Sequence, residues 1–210
     1  MKTRLAALAI VLAAAPAGAH RLDEYLQGTL VTIGKDRLQA EITLTPGVAV
    51  LPVVLADIDT DADGAISEAE QQAYAAKVLR DVSLTIDGHP LRPRLVSSKF
   101  PAIVEMNEGL GEIRIGFSAD LPSGGPDRRV IFQNHHQPRI AAYQVNCLVP
   151  RDPEIRVVAQ QRNYSQSVYE LEYAQPRGGF RWPADRVWLG AVALGLCGRF
   201  AVLWRARHAG

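Results

Sequence analysis

Between Asp59 and Glu70 the chain spaces its oxygen donors with unusual regularity: Asp59, Asp61, Asp63, Ser67 and Glu70, with Gly64 among them. Numbered from Asp59, the side chains that can bind a hard cation fall at positions 1, 3, 5, 9 and 12. Gly64 stands at position 6, where such a loop must turn sharply. Ala65, at position 7, contributes its backbone carbonyl, Ser67 a hydroxyl or a bridging water, and Glu70 two oxygens. Ile66 points inward and packs the bend against its flanks. Four carboxylates drawn onto one short bend repel one another unless a cation lies between them. A simpler alternative is an acidic turn leading into a helix, since Ser67 and Glu70 form an S-x-x-E capping box that starts a helix without any metal. The cap has no need of three aspartates, and the two roles are compatible. Asp57 and Glu68 lie off the ligand positions and add only negative field.

The flanks are expected to be helical. From Ser67 to about Asp81 the chain is rich in Ala, Glu, Gln, Lys and Leu, all good helix formers. Ala69, Ala73, Ala76 and Leu79 fall at helical spacing and predict a buried stripe. Upstream, Val48 to Ile58 is apolar but contains Pro52, which is tolerated only in a first helical turn, so the entering helix is expected to be short and to begin near Pro52. From about Val53 to Asp81 the chain resembles the EF-hand superfamily, on the pattern D-x-[DN]-x-[DN]-G-x5-E. That resemblance implies a helix-loop-helix calcium site at Asp59, Asp61, Asp63, Ala65, Ser67 and Glu70. The chain departs from the usual pattern in having one such loop and a proline-bearing entering helix. An unpaired loop is expected to bind weakly, on the order of 10⁻⁴ to 10⁻³ M, as extracellular modules do.

Residues 1–19 read as a secretory signal peptide. Lys2 and Arg4 precede the apolar stretch Leu5 to Ala15, and Ala17-Gly18-Ala19 supplies a small-residue cleavage site. That apolar stretch is too short for an ordinary membrane span. Its removal would take two of the 23 basic residues and none of the 22 acidic ones. The near-neutral remainder gives no electrostatic reason to expect nucleic acid as a partner. A second apolar stretch, Val187 to Trp204, is long enough to cross a bilayer, with Trp188 and Trp204 as interfacial anchors and Arg205 and Arg207 after it. Arg199 inside it, and Arg177, Arg181 and Arg186 before it, favour instead a buried C-terminal helix. The anchor is the preferred reading. It would leave the domain on the periplasmic or extracellular face of the cell membrane. Cys147 falls in the exported region and Cys197 in the apolar stretch, so they make no disulfide scaffold and are expected to act as small hydrophobes.

Residues 20–184 are long enough for one compact domain with a core. Much of the region alternates as half-buried strands do. Tyr25 to Ile33 and Leu38 to Leu44 flank a hairpin turn at Gly34-Lys35-Asp36. Further strands are expected at Val82 to Ile86, Leu91 to Ser97, Gly111 to Ser118, Arg129 to Gln133, Tyr143 to Val149, Ile155 to Gln161 and Ser167 to Tyr173. Short strands at such spacing predict a mainly β chain, an antiparallel β-sandwich. The helix-loop-helix at about 48–81 is then an insertion, and the apolar stretch at 187–204 a C-terminal hydrophobic helix.

Enzyme chemistry finds little support. The chain has no nucleophile elbow, no H-E-x-x-H, no phosphate-cradling glycine loop and no dinucleotide fingerprint. The nearest approach is a polar cluster, Asn134-His135-His136 with Tyr143 and Asn146, which lacks a placed nucleophile or carboxylate. His20 would become the mature N-terminus on cleavage after Ala19. Its amino group and ring could chelate Cu(II) or Ni(II) given another nitrogen ligand, with His135 and His136 as candidates for that ligand. The His20-Arg-Leu start and the segment Tyr143-Gln-Val-Asn-Cys-Leu-Val-Pro150 also resemble exported lead domains of bacterial membrane proteins in the nickel and cobalt permease-like group. No function is carried over from that resemblance. The expectation is therefore a non-enzymatic, exported, membrane-tethered module that binds one calcium ion for structural reasons, beside an unidentified membrane or envelope partner. The alternative is transition-metal handling at His20.

Overall fold

The computed structural model describes residues 23–176, so the signal peptide, His20, Cys197 and the apolar stretch 187–204 lie outside the described residues. Among the described residues no helix is long and apolar enough to cross a membrane. The chain is mainly β, as two five-stranded, largely antiparallel sheets, consistent with the expected sandwich.

Strand β1, Tyr25–Ile33, turns at Gly34 into β2, Arg37–Pro46, and pairs with it antiparallel from Tyr25↔Pro46 to Ile33↔Leu38. The Gly34 N–H donates to the Arg37 carbonyl at 2.9 Å and closes the hairpin. After β2 come helix α1, Leu51–Ile58, and helix α2, Glu68–Arg80. The chain then enters β3, Val82–Ile86, and the two-residue β4, His89–Pro90. Asp87 and Gly88 join these with φ of 50° and 82°. Two positive φ values in succession are what a tight hairpin turn matching strand twist requires, and Asp-Gly supplies them at low cost.

Next are β5, Arg94–Lys99, the short α3, Ile103–Asn107, and β6, Ile113–Asp120. The chain continues through β7, Asp127–Asn134, β8, Ala141–Cys147, β9, Arg156–Arg162, and β10, Val168–Ala174. One sheet runs β5-β6-β2-β1-β8 and the other β4-β3-β7-β10-β9. The α1–α2 segment is thus the connection that carries the chain from the first sheet to the second. Strand β1 lies inside its sheet, antiparallel to β2 on one side and parallel to the much later β8 on the other.

Alternation builds the core. Val31, Ile33, Leu38, Ile42, Leu44, Ile115 and Phe117 of the first sheet are buried in one cluster with Leu84, Val130, Phe132, Tyr169 and Leu171 of the second. Each such side chain contributes about 1.5–3 kcal/mol relative to exposure. In β1 the inward positions are Tyr25, Gln27, Thr29, Val31 and Ile33, while Leu26 and Leu30 stay 47% and 45% exposed. Hydrophobicity alone would not choose that face. Tyr25 and Gln27 are inward because each finds a buried polar partner, described below.

The helices obey their own period. Leu51, Val54 and Ile58 form the buried face of α1, and Pro52 sits in its first turn, where a missing N–H costs nothing. Helix α2 starts at the Ser67 cap, but its buried face is Glu70, Tyr74, Ala75 and Val78. This corrects the expected stripe: Ala69, Ala73 and Ala76 are exposed and Leu79 is only half-buried. Glu70 and Tyr74 each follow an expected position by one residue, and Ala75 and Val78 each precede one. Tyr74 and Val78 remove far more apolar surface from water than alanine methyl groups do, so they set the rotation of the helix.

Candidate metal centre

Helix α1 ends as the Asp59 N–H donates to the Leu55 carbonyl at 2.8 Å. The carboxylate of Asp59 then organises the bend that follows. Its Oδ1 accepts from the Asp63 N–H at 3.1 Å and its Oδ2 from the Gly64 N–H at 3.1 Å. Asp61 Oδ1 also accepts from the Asp63 N–H, at 3.3 Å, and Asp63 Oδ1 accepts from the Ala65 N–H at 2.8 Å. Ala62 and Gly64 have φ of 57° and 82°, so the chain coils tightly enough to bring alternate side chains together. One oxygen each of Asp59, Asp61 and Asp63 lies within 4.8 Å of the others. Asp59 is half-buried, and Asp61 and Asp63 are open to solvent.

Glu70 stands apart from that cluster, with its carboxylate occupied by neighbouring donors. Oε2 accepts from the Ser67 N–H at 3.0 Å and the Ser67 hydroxyl at 2.8 Å. Oε1 accepts from the Thr60 N–H at 2.6 Å and the Thr60 hydroxyl at 3.1 Å. In return Ser67 Oγ accepts from the Glu70 N–H at 3.3 Å, which completes the capping box. These donors hold the Glu70 carboxyl at about 2, with the Ser67 N–H and hydroxyl as the largest causes and the Thr60 N–H next. Glu70 therefore ties the start of the loop, at Thr60, to the start of α2.

The donors are all hard: three carboxylates in reach of one another, a fourth at the helix start, the Ser67 hydroxyl and backbone carbonyls that include Ala65. Such a set suits calcium or magnesium and offers nothing to a soft metal. Ile66 is half-buried against the core, as its position in the loop predicts. Asp57 pairs with Lys77 Nζ at 2.8 Å and accepts from Gln137, so it belongs to the α1–α2 contact.

A second polar cluster forms at the opposite end of α2, around a wholly buried His136. Its Nδ1 lies 2.7 Å from Asp81 Oδ2, and its Nε2 lies 3.0 Å from the Tyr74 hydroxyl. The Tyr74 hydroxyl is in turn 2.8 Å from that of Tyr25. Around them Asn134 donates to Gln27 at 2.9 Å and Gln27 to the His136 carbonyl at 3.0 Å. Asn134 Oδ1 accepts from the His136 N–H at 2.9 Å, and Tyr143 donates to the His136 carbonyl at 2.8 Å. The expected link of Asn134, His136 and Tyr143 is present. Asn146 is elsewhere, accepting from Arg162 at 2.7 Å. Sequence reading missed the carboxylate: Asp81 is the C-cap of α2, and only packing of the helix brings it to His136.

With both ring nitrogens engaged, His136 is not available as a third ligand for His20. His135 is exposed beside Gln133, at 3.2 Å. Cys147 is half-buried and its thiol is pushed up to about 11 by burial, as suits an inert small hydrophobe. In comparisons with known proteins, the chain matches no protein-family model and no curated protein.

Proposed function

We propose that this chain is a calcium-binding module of the EF-hand kind, in which the loop from Asp59 to Glu70 holds one ion and the ion secures the junction between the two sheets. The observation that carries the reading is the convergence of Asp59, Asp61 and Asp63 within 4.8 Å on a loop bounded by α1 and α2. Carboxylates so close and largely solvent-exposed, with no ion pair to a basic side chain among the described residues, gain most from a divalent cation. Ala65, Ser67 and Glu70 complete the ligand set, and Glu70 would exchange hydrogen bonds to Thr60 and Ser67 for the ion. The role is structural and the chain is a binding module, not an enzyme. It is exported through residues 1–19 and tethered by 187–204, at the periplasmic or extracellular face.

The mechanism is linkage: an ion bound by the folded form and not by the unfolded chain raises stability as its concentration rises. Calcium titration by calorimetry, with melting followed in parallel, tests this. A rise in Tm with calcium is expected in the wild type and should vanish in Asp59→Ala/Glu70→Ala. Because Glu70 also caps α2, the baseline Tm of that variant is expected to fall as well. The calcium-dependent increment is therefore the deciding quantity, and an increment equal to that of the wild type would reject the site.

A further inference from the structure

The buried cluster at His136 has a direction. An ionised carboxylate can only accept, so Nδ1 of His136 must carry the proton that faces Asp81 Oδ2. In the neutral ring Nε2 is then an acceptor, so Tyr74 must donate its hydroxyl proton to it. Tyr74 Oη is left to accept, and Tyr25 donates to it. The chain of donors thus runs one way, Tyr25 to Tyr74 to His136 to Asp81, and every group in it is satisfied. Tyr25 and Tyr74 are 0% and 1% exposed, and the Tyr25 hydroxyl meets only that of Tyr74 among the described residues.

Protonating the ring breaks this order. Nε2 becomes a donor and takes Tyr74 Oη as its acceptor. Either Tyr74 turns its own proton toward Tyr25, whose proton then has no acceptor, or Tyr74 keeps Tyr25 as a donor and strands its own. One buried O–H is orphaned in both arrangements, and leaving such a donor unmade costs more than the bond itself contributes. We propose that the Tyr25–Tyr74–His136–Asp81 chain is a proton-sensitive latch, which fixes the C-terminal half of α2 to the first sheet while His136 is neutral and loosens it when His136 is protonated.

Asp81 on α2 favours the imidazolium, and so does Asp57 on α1. Lys77 on α2, paired with Asp57, opposes it. Tyr143 from β8 binds only the backbone carbonyl of His136. Desolvation outweighs the two carboxylates, and the ring titrates below the ordinary histidine value of 6.5. With the folded value depressed, the latch is intact above about 6.5 and weakens as pH falls through the folded midpoint.

The test is an NMR titration of the histidine rings in the full chain without added calcium, with the His136 resonance identified by its loss in His136→Gln. Amide hydrogen exchange is followed over the same pH range. The His136 midpoint is expected below 6.5, and protection at Tyr74–Arg80 should fall by about ten-fold per pH unit between 6.5 and that midpoint. Tyr74→Phe keeps the ring and its packing but breaks the chain between Tyr25 and His136, so it should lower protection across residues 74–80 above pH 6.5, where the wild-type latch is closed. Tyr25→Phe strands one hydroxyl on protonation just as the wild type does, and should leave the midpoint in place. A midpoint at or above 6.5, protection indifferent to pH, or protection in Tyr74→Phe equal to that of the wild type above 6.5 would each overturn the latch. The readouts are taken without the ion, so they stand or fall apart from the calcium reading.

Discussion

The two ends of α2 handle polar groups in opposite ways. At its start, Asp61 and Asp63 lie open to solvent with like charges gathered and, among the described residues, no ion pair to a basic side chain. At its far end, Tyr25, Tyr74 and His136 are enclosed and every hydrogen-bonding atom among them has a partner. The exposed end is an incomplete arrangement that an ion can finish. The buried end is complete as it stands and can only be disturbed. One helix thereby joins an open acidic cluster that could hold a metal ion to a closed polar chain.

The largest effect should come from the closed end. Tyr74→Ala removes a buried ring and strands Tyr25 and His136, and is expected to cost about 3 to 5 kcal/mol by chemical denaturation. A cost near that of a surface substitution would mean that the two ends differ less than described. Next comes the open end: calcium at one hundred times its dissociation constant should stabilise the wild type by about 2.7 kcal/mol, read as a shift in denaturation midpoint. Ser67→Ala removes the N-cap of α2 and should cost about 1 kcal/mol without calcium. In acid, the Glu70 carboxyl, held at about 2 against an ordinary 4.5, contributes stability that is full above 4.5 and disappears as pH falls toward 2. An acid titration should therefore show the advantage of the wild type over Glu70→Gln shrinking across that window. Least of all, Ala76→Lys on the exposed face should change stability by no more than about 0.5 kcal/mol. A large loss there would restore the alanine stripe as the packed face.

Much of the β framework was legible because it alternates cleanly. Strands β1 and β3 fall at the residues expected, since Tyr25–Ile33 and Val82–Ile86 are bounded by strong turn signals at Gly34 and Asp87-Gly88. Strand β5 was placed too early, at Leu91 to Ser97, because Arg94–Lys99 is almost wholly exposed and its register shifts between Leu95 and Ser97. No alternation survives there to be read. The short α3 was missed for a related reason: Met106 is its only buried side chain, too little for a period. The acidic loop was visible because its chemistry is local, with each ligand position a fixed number of residues from the next. The His136 chain was not, since Tyr25, Tyr74, Asp81 and His136 come from distant stretches and meet only through tertiary packing. The misplaced face of α2 is a different kind of miss: Tyr74 and Val78, whose larger side chains set the rotation, stand in the local sequence beside the alanines and outweigh them.

Strand β1 sits between β2, its immediate successor, and β8, which begins at Ala141. A chain emerging in order can close the β1–β2 hairpin early, yet one flank of β1 keeps its backbone amides and carbonyls bare until more than half of the domain has followed. Such late closure slows folding and leaves an edge on which a foreign strand can settle. Of the described strands, the first is therefore the one most in need of shelter while it waits.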